Sequence, residues 1–141
     1  MASNYSSILK TLIYSDIFDF PLTKDEIWEF LIDRKMDKKS FEKDLRELRQ
    51  IGFENNFYYL LGREKIIKKR ITRKKESEKK LIMAKIISRI LFLVPSVLFI
   101  GISGGLALEN SDEKDDIDLF VITSKNTLLA TRLILGVLLI L

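Results

Sequence analysis

Two runs of β-forming residues, 97–102 and 117–123, flank a stretch that opens on Ser103-Gly104-Gly105 and closes on Asp115-Asp116. Short apolar runs bounded by glycine or acidic turns suit buried strands. The spacing therefore predicts a strand, a glycine turn, a helix starting within residues 106–109, and a loop back to a neighbouring strand. In an extended chain, side chains two apart leave the same face. Asp116 and Asp118 would then project together, while Ile117, Leu119 and Val121 anchor the opposite face in a core. Parallel carboxylates repel unless a cation lies between them, an arrangement suited to Mg²⁺ in phosphoryl chemistry. At Ser103, Gly104 and Gly105, missing side chains let backbone N–H groups approach an anion, and a following helix N-terminus would favour phosphate.

The chain has no histidine and no cysteine. Imidazole bases, Ser-His and Cys-His nucleophiles, thiolate metal sites and disulfides are all excluded, and a cytoplasmic location is expected. Any metal must be held by oxygen, which favours Mg²⁺ or Mn²⁺ over Zn²⁺. The formal charge of +4 is segregated: residues 63–80 hold ten Lys or Arg against three Glu, and residues 109–118 hold six carboxylates against one Lys. A basic arm beside an acidic pocket is compatible with polyanion binding next to a divalent cation, although two solvated surfaces would give the same counts.

Ahead of this region, Ile8, Leu9, Leu12, Ile13, Ile17 and Phe18 recur at helical spacing, predicting a helix over residues 4–18. Thr23 and Glu26 form a capping box for a second helix carrying Ile27, Phe30 and Leu31, with Trp28 beside them. A third helix follows the turn at residues 37–40 and runs to about Gln50 on Phe41, Leu45 and Leu48, with Gly52 as its C-cap. Residues 53–61 read as a hairpin turning at Asn55-Asn56. Three helices and a hairpin make the winged-helix order, in which the third helix is the groove reader. That helix is mixed in charge, as an ordinary solvated face is. Trp28, Phe30, Phe41, Tyr58 and Tyr59 read as packing residues rather than a stacking platform.

Residues 63–93 predict one long helix, striped by Ile66, Ile67, Ile71, Leu81, Ile82, Ile86 and Ile90, exposed over residues 72–80 and ended by Pro95. Lys68, Lys69, Arg70, Arg73, Lys74 and Lys75 could meet nucleic acid, or simply solvate a connecting helix. Residues 128–141 predict a core-facing helix that breaks off in an apolar run, as in a truncated chain. Like residues 90–102, it is short for a membrane span. Residues 1–7 are polar and do not show the pattern expected of a signal peptide.

The combination of apolar residue, Gly104, Gly105, a gap of about ten and Asp116-Ile117-Asp118-Leu119 resembles the signature of the nucleotidyltransferases related to DNA polymerase β. The resemblance covers about residues 100–123. It implies transfer of a nucleoside monophosphate from an NTP to an acceptor hydroxyl. Ser103, Gly104 and Gly105 would cradle the triphosphate, and Asp116 and Asp118 would be the catalytic, metal-binding carboxylates for Mg²⁺ or Mn²⁺. Three departures stand out. Gly105 replaces a common Ser, Glu109 stands where relatives often have Gly, and no Asp or Glu follows Asp118 to supply the family's third carboxylate. A fragment or a degenerate site would explain the last.

The expected fold class is α+β: a winged-helix-like domain (residues 1–62), a basic connecting helix (63–95) and the N-terminal part of a nucleotidyltransferase domain (96–141). Two further readings are a non-catalytic regulator, sensing nucleotide or binding DNA through the winged helix, and a membrane-associated protein using the basic arm and residues 128–141.

Overall fold

The structure, a computed structural model, describes residues 5–33 and 36–140. The chain is α+β and divides into two compact units, residues 1–71 and 72–141. The division falls inside the longest helix. Residues 4 and 141, the expected ends of the first and last helices, lie outside the described residues.

In the first unit, α1 (Tyr5–Asp16), α2 (Lys24–Glu29) and α3 (Lys38–Glu47) precede a hairpin of β1 (Ile51–Glu54) and β2 (Phe57–Leu60). The capping box forms as expected: Thr23 Oγ1 accepts from the Glu26 amide while Glu26 Oε2 accepts from the Thr23 amide. Asp37 caps α3 by accepting from the Lys39 and Ser40 amides. Asn55 and Asn56 both take positive φ, at 50° and 68°, which gives a two-residue turn the twist that matches the strands. Ile8, Leu12, Phe20, Leu22, Ile27, Leu31, Phe41 and Leu45 form one buried cluster, with Trp28 packed against it. Leu22 joins the hairpin by exchanging both backbone hydrogen bonds with Tyr58.

Several expectations fail here. The α1 stripe is only half used: Ile8 and Leu12 are buried, but Ile13, Ile17 and Phe18 are exposed. Helix α2 stops at Glu29, so Phe30 becomes its exposed C-cap and Leu31 enters the core from beyond the helix. Gly52 is not a helix cap. It lies in β1 opposite Tyr59, where a Cβ would come within 2.5 Å of the ring. Glycine is needed there for the aromatic side chain to cross the strand.

The long helix is α4 (Lys65–Leu91), followed by β3 (Val97–Ile102), the single-turn α5 (Gly104–Ala107), β4 (Leu119–Thr123) and α6 (Leu128–Ile140). β3 pairs antiparallel with β4, Ile102 opposite Leu119, in a two-stranded sheet with a bulge at Val97/Phe99. The expected burial of β3 is found only in part: Val97 is buried and residues 100–102 are half-buried, but Leu98 and Phe99 face solvent. Ile71, Ile82, Ile86 and Ile90 of the α4 stripe are also exposed, and the buried positions in the second unit's part of the helix are Ser77, Ala84 and Leu91. Helix α6 buries Thr131, whose Oγ1 lies 2.6 Å from Ser96 Oγ, and exposes Leu128, Leu129, Leu133, Ile134, Val137 and Leu139. It is therefore not core-facing. No helix among the described residues is long and apolar enough to cross a membrane.

Candidate functional site

The second unit brings Gly105, Asp116 and Asp118 to one cleft, whereas Ser103 and Gly104 do not line it. The cleft, of about 370 Å³, is lined by Gly105, Leu106, Ser111, Lys114, Asp115, Asp116 and Asp118. Its geometry follows from the strand ends. β3 stops at Ile102, and the Ser103 amide still donates to the Asp118 carbonyl at 3.0 Å, one step past the last ladder pair. Beyond that bond the two segments part, Ser103 into α5 and Asp118 back into the acidic loop.

Asp116 and Asp118 therefore precede β4 instead of sitting within it. The expected strand start at residue 117 overshoots because no residue of β3 remains to pair with it. Both residues line the cleft all the same.

Gly104 takes φ +67°, and a Cβ there would approach Asp118 Oδ2 to 2.9 Å. Both facts call for glycine: the left-handed backbone disfavours a side chain, and the carboxylate occupies its space. At Gly105 a Cβ would lie 3.2 Å from the Asn110 carbonyl, which closes on this turn because the Asn110 amide donates to the Gly105 carbonyl at 2.8 Å. A serine at 105 would push on the loop. Ser103 is the N-cap of α5, without a side-chain cap hydrogen bond. The helix begins at Gly104 rather than at residues 106–109 and lasts one turn, so individual N–H groups, not a macrodipole, are what it offers an anion. Glu109 has a left-handed φ of 52°, a conformation that glycine adopts without strain.

The acidic loop is held from α4. Arg73 Nε and Nη2 donate to Asp112 Oδ2 at 2.9 and 2.7 Å, and Nη1 donates to Asn110 Oδ1 at 3.2 Å. The Ser111 amide donates to Ser77 Oγ at 3.0 Å, Ser77 being 0% and Ser111 1% exposed. Lys80 Nζ donates to Ser111 Oγ and to the carbonyls of Asp112 and Asp115. Residues 72–80 are thus not a uniformly exposed linker. Neither Ser77 nor Lys80 stands out in the sequence as a loop anchor. Their recurrence with Arg73 at helical spacing (i, i+4, i+7) was available, but the loop that they hold lies more than thirty residues away in sequence.

The six basic residues proposed for nucleic acid are dispersed in role. Arg70 is buried in the first unit, paired with Glu26 at 2.9 Å and stacked over Phe20 at 3.8 Å. Lys69 pairs with Asp19 at 2.5 Å, and this hydrogen bond is the main reason the Asp19 carboxyl is held below its ordinary value. In the second unit Arg73 holds Asp112, and Lys74 lies 3.6 Å from Glu109. Lys68 and Lys75 are exposed.

Asp116 and Asp118 offer anionic oxygen of the kind that Mg²⁺ or Mn²⁺ takes, with water and phosphate oxygens available for the remaining positions. Among the described residues no group of three or more His, Cys, Asp or Glu is placed to hold a metal. Comparison with protein-family models, with curated proteins and with solved structures returns no match to this chain.

Proposed function

We propose that the cleft is the nucleotide and metal site of a nucleotidyltransferase, with the first unit a winged-helix-like domain that precedes it in sequence. The observation that carries this reading is that Gly105, Asp116 and Asp118, from two separated segments, line one cleft, with Gly104 backed closely by the Asp118 carboxylate. Amides at Gly104 and Gly105 would meet the triphosphate, which the absent side chains allow to approach, and Ser103, whose own amide is bonded to the Asp118 carbonyl, would assist through its hydroxyl. The two carboxylates would hold Mg²⁺ or Mn²⁺, which when bound would lower the pKa of the acceptor hydroxyl and neutralise triphosphate charge. In the reaction the acceptor oxygen bonds to the α-phosphorus, the bond to the β-phosphate bridge breaks, pyrophosphate leaves and the acceptor proton passes to solvent. The chain's own part is positioning and electrostatics, for which the missing histidine is no obstacle.

A second reading is nucleotide binding without turnover, as in a winged-helix regulator. It calls for the nucleotide site alone, without a third carboxylate. Both readings require the same first step. Calorimetric titration with ATP and Mn²⁺ should give binding that needs the metal and that disappears in the Asp116→Asn, Asp118→Asn double variant. Equal binding by the variant, or none by the folded wild type, would reject both. Labelled AMP transferred to an acceptor would then separate them.

A further inference from the structure

Lys80 makes bonds in the second unit that the proposed function leaves unexplained. An ammonium carries three hydrogens and accepts nothing. Lys80 Nζ has three oxygens within reach, Ser111 Oγ at 3.0 Å, the Asp115 carbonyl at 2.6 Å and the Asp112 carbonyl. Two of these are backbone atoms, at either end of a turn that the Asp112 amide closes by donating to Asp115 Oδ2 at 2.7 Å. The turn leads directly into Asp116. Ser77, one helical turn earlier and fully buried, holds the Ser111 amide, so the anchorage spans residues 111–115 without touching Asp116 or Asp118.

We propose that Lys80 is a positioning residue for the metal site: its ammonium folds residues 112–115 into the turn that presents Asp116 and Asp118 to the cleft. Two physical effects support this. A loop carrying six carboxylates in ten residues repels itself, and a fixed cation inside the turn offsets that repulsion before any divalent ion arrives. An ordered loop also spares the metal the entropy of organising its own ligands. Arginine would not replace Lys80, because a planar fork cannot direct donors to three oxygens fanned around one nitrogen.

This inference rests on the proposed nucleotide site, but part of its test does not. The chain has no cysteine, so Lys80→Cys introduces a unique thiol. Alkylation with bromoethylamine restores an ammonium at nearly the lysine length, and alkylation with iodoacetamide leaves a neutral side chain on the same variant. Amide hydrogen exchange over residues 111–118 should be fast in the neutral form and return to wild-type protection in the aminoethyl form, with α1 and α3 unchanged in both. Affinity for Mn²⁺ with ATP should fall by about 10- to 100-fold in the neutral form, as for loss of other groups that orient metal ligands, and recover in the aminoethyl form.

Loop protection that does not depend on the charge overturns the proposal. So does unchanged Mn²⁺–ATP affinity in the neutral form. Absence of Mn²⁺–ATP binding in the wild type would reject the nucleotide site, and with it the metal-positioning role, while the exchange result would still decide whether Lys80 holds the turn.

Discussion

Phe41 in α3 and Leu133 in α6 occupy helices of ten and thirteen residues, yet Phe41 is 1% exposed and Leu133 72%. The contrast extends to the units around them. In the first, side chains from three helices and their connections meet in one cluster against the hairpin, and Trp28 lies on Phe41 with ring centroids 5.1 Å apart. In the second, the more instructive contacts are polar: Arg73, Ser77 and Lys80 hold the acidic loop, and Ser96 meets Thr131. The first unit is organised by burial of apolar surface, which is additive and tolerant of detail. The loop geometry of the second depends on directed bonds, whose loss leaves charged groups without their counterparts. Stability and site geometry should therefore respond to different substitutions.

The largest expected effect is in the first core. Phe41→Ala should destabilise the first unit by about 3–5 kcal/mol, against less than about 0.5 kcal/mol for Leu133→Ala. Urea unfolding followed by Trp28, the single tryptophan, reads the first unit, and hydrogen exchange in α6 reads the second. Equal costs at the two positions would break the comparison.

Gly104→Ala comes next. Its left-handed backbone makes alanine worse by about 1–2 kcal/mol, and the added Cβ competes with Asp118 Oδ2 for space. A thermal melt should show the modest destabilisation, and Mn²⁺–ATP affinity should fall as Asp118 is displaced. Unchanged affinity would mean that the approach of Gly104 to Asp118 has no bearing on binding.

These two positions also separate what was legible in the sequence from what was not. The Thr23–Glu26 capping box and the Asn55-Asn56 turn were readable because their chemistry is local, within three residues. The cleft was partly readable, since glycines and carboxylates declare what they can do. Their geometry was not, because β4 begins where β3 runs out of residues to pair, which shifts Asp118 to the strand's edge and Asp116 into the loop. Periodicity puts Ile13, Ile17 and Ile82 on apolar stripes, yet all three are exposed, because an apolar stripe says what a helix can bury and not what is there to cover it. Ser77 was hidden for the converse reason: a serine among lysines looks solvated until the loop that covers it is known.

The smallest expected effect sharpens the comparison through pH. The Lys69 hydrogen bond, with Arg63 assisting, lowers the Asp19 carboxyl, and the Ser40 hydroxyl and the amides of the α3 cap lower Asp37, both from a usual 3.8. A carboxyl depressed in the folded state contributes stability that is complete above its unfolded value and lost as pH falls through its folded value. The Lys24 hydrogen bond lowers Glu42 likewise, from a usual 4.5, so Trp28 emission should report weakening of the first unit only below about pH 5. Asp37→Asn retains a capping oxygen without the charge and should remove part of that dependence. Weakening that began near neutrality would contradict this assignment.

The central claim is that the glycine turn and the two aspartates form one metal-dependent site. Paramagnetic broadening by substoichiometric Mn²⁺ with ATP, read amide by amide in an isotope-labelled chain, tests it most directly. The account predicts that Gly104, Gly105 and residues 116–118 broaden first and together, that EDTA restores them, and that the double Asn variant shows none of it. Broadening spread evenly along residues 109–118, with Gly104 and Gly105 untouched, would mean that the acidic loop attracts cations without forming a site, and would contradict the claim.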